Sequence, residues 1–102
     1  MKPSRLREAA LEDIDQALDY YFEFAEHTVD AFSAAILDAR RHVEQHPGTG
    51  SPRYSEEGQA EVLRFWLLTR FPYAIFYIER DDFIDIVRVL HQASDIPTQL
   101  DH

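Results

Sequence analysis

The sequence predicts an α+β domain, with an antiparallel helical hairpin packed on one face of a small antiparallel sheet. The order is β-α-α-β-β-β, closed by a short C-terminal helical turn. Three observations predict it. Val62 to His91 is dense in β-branched and aromatic residues, which suit a pleated, half-buried surface, and only two turn-like breaks interrupt it. Glu8 to Val43 repeats its apolar residues at spacings of three and four, the mark of helical faces. His46 to Gln59, between them, holds all three glycines and two of the five prolines, so it reads as a loop.

Residues 4–8, SRLRE, form a short first strand with Leu6 as its apolar residue. Leu11, Ile14, Leu18, Tyr21 and Ala25 then mark one face of the first helix. Glu8, Glu12 and Asp13 lie in its first turns, where carboxylates meet the positive end of the helix dipole. The helix is expected to stop around His27–Thr28, with Thr28 as N-cap of the next. Val29, Phe32, Ile36, Ala39 and Val43 mark the second helix, and Arg40, Arg41, His42 and His46 gather near its C-terminus. So short a junction makes the two helices antiparallel neighbours.

In the strand region, Arg70, Phe71 and Pro72 mark the first turn, and Arg80, Asp81 and Asp82 the second. Connections this short join only antiparallel strands. The first strand is expected to pair with the second or third, making four. Gln92 to His102 forms a tail in which Ser94-Asp95-Ile96-Pro97 starts one helical turn, since Pro lacks only an N–H that has no partner there.

A chain of 102 residues with 45% hydrophobic residues suffices for one core, so one domain spanning 1–102 is expected. There is no cysteine, hence no disulfide or thiolate metal site, and no asparagine to glycosylate. No signal-peptide-like or membrane-length apolar run is present, and a cytoplasmic protein is expected. The formal charge is −9, from 19 acids and ten bases. Nucleic-acid binding draws its affinity from Lys and Arg neutralising phosphates, so this charge opposes it and favours a protein partner.

Four constellations carry candidate chemistry. Glu8, Glu12, Asp15, Asp19, Glu23 and Glu26 form one acidic stripe, read as a solvated face because calcium sites draw ligands from tight loops. His42 and His46 are four apart but lack a third ligand, so no metal site is assigned. Tyr20, Tyr21, Phe22 and Phe24 are too close for one stripe to bury. Tyr20 and Phe24 either pack on the sheet or await a partner, and a helix between its mate and a sheet buries a wide arc, which favours packing. Arg64, Arg88 and His91, near Tyr73 and Tyr77, could cleave RNA, with a base at the 2′-hydroxyl and arginines on the phosphate. Strand alternation groups Arg88 with Ile84, Ile86 and Leu90, and His91 with Val87 and Val89, which splits that set between faces.

The chain resembles the ParE branch of the RelE/ParE toxin superfamily, bacterial toxins encoded beside a cognate antitoxin. Leu6, Ala10, Asp13-Ile14 and Tyr20 match the family's opening L-x-x-x-A-x-x-D-[LI] and its later Tyr. Pro47-Gly48-Thr49-Gly50 matches P-x-x-G, Leu63-Arg64 matches L-R, and Tyr73-Ala74-Ile75-Phe76-Tyr77 matches Y-x-I-F-Y. Arg88-Val89-Leu90-His91 followed by Asp95 matches R-V-L-H-x-x-R-D. Three positions depart: Ser94 stands for the family Arg, Gln92 for a glycine after the His, and His27 for the glycine between the helices.

The resemblance implies a RelE/ParE-like fold and the toxin of a type II toxin–antitoxin module of the plasmid-stabilisation type, acting without cofactor or metal. Its implied target is DNA gyrase and its implied partner a ParD-like antitoxin, joined in a hetero-oligomer. A RelE-type, ribosome-dependent mRNA endoribonuclease using Arg64, Arg88 and His91 is the alternative, and a non-toxic ParE-like binding domain a third. The candidate partner-binding residues are Tyr20, Phe24, Arg64, Trp66, Tyr73, Tyr77, His91 and Asp95.

Overall fold

The structure, a computed structural model, describes residues 1–100. The last two residues of the expected domain and tail, Asp101 and His102, lie outside them. Strand β1 (Ser4–Leu6) leads into helix α1 (Glu8–Phe24), a 3-10 turn (Glu26–Thr28) and helix α2 (Val29–Gln45). A second 3-10 turn (Pro47–Thr49) opens the long loop, and strands β2 (Leu63–Leu67), β3 (Tyr73–Glu79) and β4 (Ile84–His91) follow, then helix α3 (Ile96–Leu100). The α+β fold and the three-stranded antiparallel meander are as the sequence predicts.

The first strand departs from expectation. It pairs with the last strand, and in parallel, Ser4 opposite Ile84 and Leu6 opposite Ile86. The sheet is therefore mixed, in the order β1-β4-β3-β2. The helices and two strands between β1 and β4 supply the long crossover that a parallel pair requires. Placing β1 against β4 also covers an edge that would otherwise expose a row of unpaired backbone groups.

Helix α2 buries Phe32, Ile36, Ala39 and Val43 against the sheet, the expected face. Phe32 and Val43 are fully buried, and each such side chain contributes roughly 1.5–3 kcal/mol. Helix α1 differs. Its buried residues are Ala10 and Ala17, with Ile14, Leu18 and Tyr21 packed beside them, while Leu11 is exposed. Small residues at Ala10 and Ala17 let the helix lie close on β4. Tyr21 and Phe32 meet across the hairpin at 5.1 Å between ring centroids. Thr28 does not cap α2 with its side chain; its hydroxyl donates back to the Ala25 carbonyl, closing the interhelical turn.

Ser4 fastens the strand edge to α2. Its N–H and hydroxyl donate to the Glu44 carboxylate, and Arg40 Nε donates to Ser4 Oγ at 2.9 Å. The opposite sheet face is also covered. Ala74, Phe76, Val87, Leu90 and Ile96 form a second cluster, closed by Tyr54 of the long loop and Leu100 of α3.

Candidate functional site

Strand β4 changes phase in its middle. Pairing steps from Phe76–Arg88 to Tyr77–Ile86, leaving Val87 as the extra residue of a β-bulge. Ile84, Ile86 and Val89 therefore face the helices, while Val87 and Leu90 join the second cluster. The expected grouping of Arg88 with Ile84 and Ile86, and of His91 with Val87, is thus corrected. The bulge shifts alternation by one residue, which no uniform period of two anticipates.

Beside this bulge α1 and the end of β4 bound a groove of about 330 Å³, lined by Tyr20, Tyr73, His91 and Ser94, with Asp13, Arg88 and Gln99 at its base. Aromatic rings connect it to the surface in sequence. Phe24 lies 5.1 Å from Tyr20, Tyr20 5.5 Å from Tyr21, Tyr21 6.3 Å from Tyr73, and Tyr73 5.0 Å from His91. Burial, with the neighbouring phenols, raises Tyr73 and Tyr21 above the ordinary tyrosine range, so both are neutral donors at neutral pH. His91 Nδ1 accepts the Ala93 N–H at 2.9 Å, which in the neutral ring leaves its proton on Nε2.

Tyr20 and Phe24, expected to pack on the sheet, are instead 57% and 68% exposed, and Phe22 is 65% exposed. Close packing of α1 through its alanines leaves room for Tyr21 alone of the four aromatics. The signal was present in the sequence, since one stripe cannot bury them all; the direction of the surplus was not.

Arg88 is fully engaged. Its guanidinium donates twice to Asp13, at 2.7 and 2.8 Å, and once to the Gln99 carbonyl at 2.8 Å. The hydrogen bond to Asp13 raises its pKa further. Arg64 donates to the Gly50 carbonyl at 2.9 Å. Arg64 stands opposite Tyr77 and His91 opposite Tyr73, so four residues of β3, roughly 13 Å, separate them along the sheet. Arg88, opposite Phe76, is on the other face. Arg88 and His91 border the same groove, but Arg88 is held by Asp13 and Gln99 and Arg64 lies away from it, so the three residues of the ribonuclease reading are not brought together as one set.

The remaining candidates fall elsewhere. Tyr77 is fully buried; its hydroxyl accepts the Gly50 N–H and donates to the Pro47 carbonyl, so it holds the loop and presents no surface to a partner. Trp66 stacks on His42 at 3.8 Å and lines a shallow apolar groove with Phe65 and Leu67 on the outer strand β2. Asp95 stands just before α3, where its carboxylate accepts from the Thr98 hydroxyl and its backbone carbonyl accepts the Gln99 N–H. His42 and His46 have ring centroids 5.4 Å apart, and among the described residues no group of three or more His, Asp or Glu is placed to hold a metal. Within those residues no helix is long and apolar enough to cross a membrane. The six carboxylates of the α1 stripe are all exposed.

A helical hairpin on a small mixed sheet, with an aromatic-lined groove where α1 meets the last strand, defines a compact α+β class. The chain belongs to the family described as the ParE toxin of type II toxin-antitoxin system, parDE, whose model matches residues 5–96. Among solved structures it is similar to the chromosomal ParDE TA system from P. aeruginosa, with a TM-score of 0.72 and 21% identity over 89% of this chain and 96% of that one. At that identity the likeness speaks for the fold. No curated protein is similar enough to count as a relative.

Proposed function

We propose that the chain is a toxin that acts by binding rather than by catalysis, as one cytoplasmic domain spanning residues 1–102 and without metal or cofactor. DNA gyrase is its target, and a cognate ParD-like antitoxin neutralises it in a hetero-oligomer. The observation that carries this reading is the continuous aromatic surface from Phe24 and Tyr20 to Tyr73 and His91, in a chain of the ParE family. Exposed aromatic side chains contribute large contact area at interfaces. The engagement of Arg64 and Arg88 within the fold, with the charge of −9, disfavours a phosphate-binding active site. A gyrase supercoiling assay tests the target. The purified chain is expected to block supercoiling, and added antitoxin to restore it. Unimpaired supercoiling at saturating chain would overturn the gyrase assignment. A translation extract is expected to retain intact mRNA; cleavage abolished by Arg64→Ala would favour the ribonuclease instead.

A second reading rests on Ser94. Its hydroxyl donates to the His91 carbonyl at 2.6 Å, where the family pattern has an arginine beside the groove. If that cation is needed for the target, the chain is a binding domain that retains antitoxin contact without toxicity. Gyrase inhibition by Ser94→Arg but not by the native chain would identify this case.

A further inference from the structure

The net charge is not spread over the molecule. Glu8 to Ala39, which spans α1 and most of α2, contains nine of the 19 acids and none of the ten Lys and Arg residues. The other ten acids match the ten bases, so this helical segment carries the whole formal charge of −9. Among the described residues only Asp13 of its nine acids has a basic partner, Arg88. The last turn of α1 has no basic residue, so its acids add to the negative end of the helix dipole. Like charges four apart, such as Asp15 and Asp19 or Asp19 and Glu23, each oppose helix formation by a few tenths of a kcal/mol.

Within this field lie the exposed rings of Tyr20 and Phe24, in contact with each other, and the helical period sets exposed Asp19 and Glu23 beside them as an acidic rim. A second copy of the chain would bring the same nine acids against them, and nucleic acid or an anionic lipid surface would be repelled too. An apolar surface in an acidic field selects a cationic segment with apolar anchors. Lys or Arg would pair with the rim, and a guanidinium over an exposed ring adds a cation–π contact.

We infer that the outer face of α1 around Tyr20 and Phe24 is the docking surface for a cationic amphipathic segment of the antitoxin. This rests on the antitoxin partnership proposed above and adds the chemistry and place of contact. The anchors cover the aromatic rings, and the flanking cations remove the hairpin's self-repulsion. Electrostatic steering then makes association fast and dependent on salt.

Calorimetric titration of the full chain with purified antitoxin, repeated at several salt concentrations, tests this. The wild type is expected to lose at least about tenfold in affinity as salt rises to several hundred millimolar. Tyr20→Ala/Phe24→Ala and Asp19→Lys/Glu23→Lys are each expected to lose about tenfold or more, the second with a weaker salt dependence. Glu56→Lys/Glu57→Lys, on the loop across the molecule, is expected to bind as wild type. These side chains are exposed, so unchanged circular dichroism establishes folding. Wild-type affinity in both hairpin variants, or salt-independent binding, overturns the inference while leaving the antitoxin partnership standing. Variants that keep antitoxin affinity but lose toxicity assign the surface to the target and also overturn it. Absence of any complex overturns the partnership itself, and the inference with it.

Discussion

Asp13 on α1 and Arg88 on β4 are 75 residues apart in the chain and face each other through two hydrogen bonds, of 2.7 and 2.8 Å. The same carboxylate accepts the Val89 N–H at 2.9 Å, immediately after the bulge. One side chain thus neutralises a cation at the base of the groove and satisfies a backbone donor where the ladder is irregular.

Asp13→Ala is expected to destabilise the chain by about 3 kcal/mol. Removing one member of a largely buried pair leaves a charge with little access to water, at roughly 3–5 kcal/mol, and the 15% and 11% exposure of the two side chains places the cost at the low end. Urea unfolding of Asp13→Ala, Arg88→Ala and the double variant checks this. The double is expected to cost clearly less than the two singles added together.

Gly50 is required by space, not by backbone conformation. A Cβ there would collide with Tyr77 Oη and approach the Phe65 carbonyl oxygen to 2.9 Å. Gly50→Ala is expected to cost about 1–3 kcal/mol, as overpacking does. Tyr77→Phe, which strands the Gly50 N–H and Pro47 carbonyl, is expected to cost about 1–2 kcal/mol. Thermal denaturation measures both, and proteolysis is expected to increase within residues 46–62.

Acid stability depends on Asp85. Burial alone would raise its carboxyl, but hydrogen bonds and charge from Arg7 and Arg80 outweigh it and hold the pKa below the ordinary 3.8. A carboxyl depressed in the folded state contributes stability that is complete above the unfolded value. That contribution is lost as pH falls through the lower folded one. Stability is therefore expected to fall below about pH 4, and Asp85→Asn to be less stable at neutral pH with a flatter acid limb. Urea midpoints between pH 2 and 7 measure the difference.

Arg70, in the turn between β2 and β3, has a φ of 72°. A non-glycine residue there costs about 1–2 kcal/mol, which Gly avoids while adding freedom to the unfolded chain. Arg70→Gly is expected to stabilise by about 0.5–1 kcal/mol, seen as a rise in thermal midpoint.

The parts of this molecule legible in its sequence are those with a strong period. Phe32, Ile36, Ala39 and Val43 announced the buried face of α2, and the breaks at Arg70–Pro72 and Arg80–Asp82 separated the three meander strands. Three residues are too few for a period, so the partner of β1 was not readable. A bulge is a single extra residue, Val87, and its neighbours Ile86 and Arg88 are ordinary strand residues. The groove was half legible. Tyr20, Tyr73 and His91 stand out in the sequence and do converge, but Tyr77 has the same composition signal and proves internal. Gln99, whose backbone carbonyl receives Arg88, had no signal, since any residue supplies a carbonyl.

The central claim, a toxin that works by binding, is tested most directly by inducing the chain in a bacterial host that lacks the antitoxin and following growth, cell length and total mRNA. The expected result is growth arrest with filamentation and intact mRNA, relieved when the antitoxin is co-expressed. Undisturbed growth at high expression, or arrest accompanied by fragmented mRNA, would contradict it.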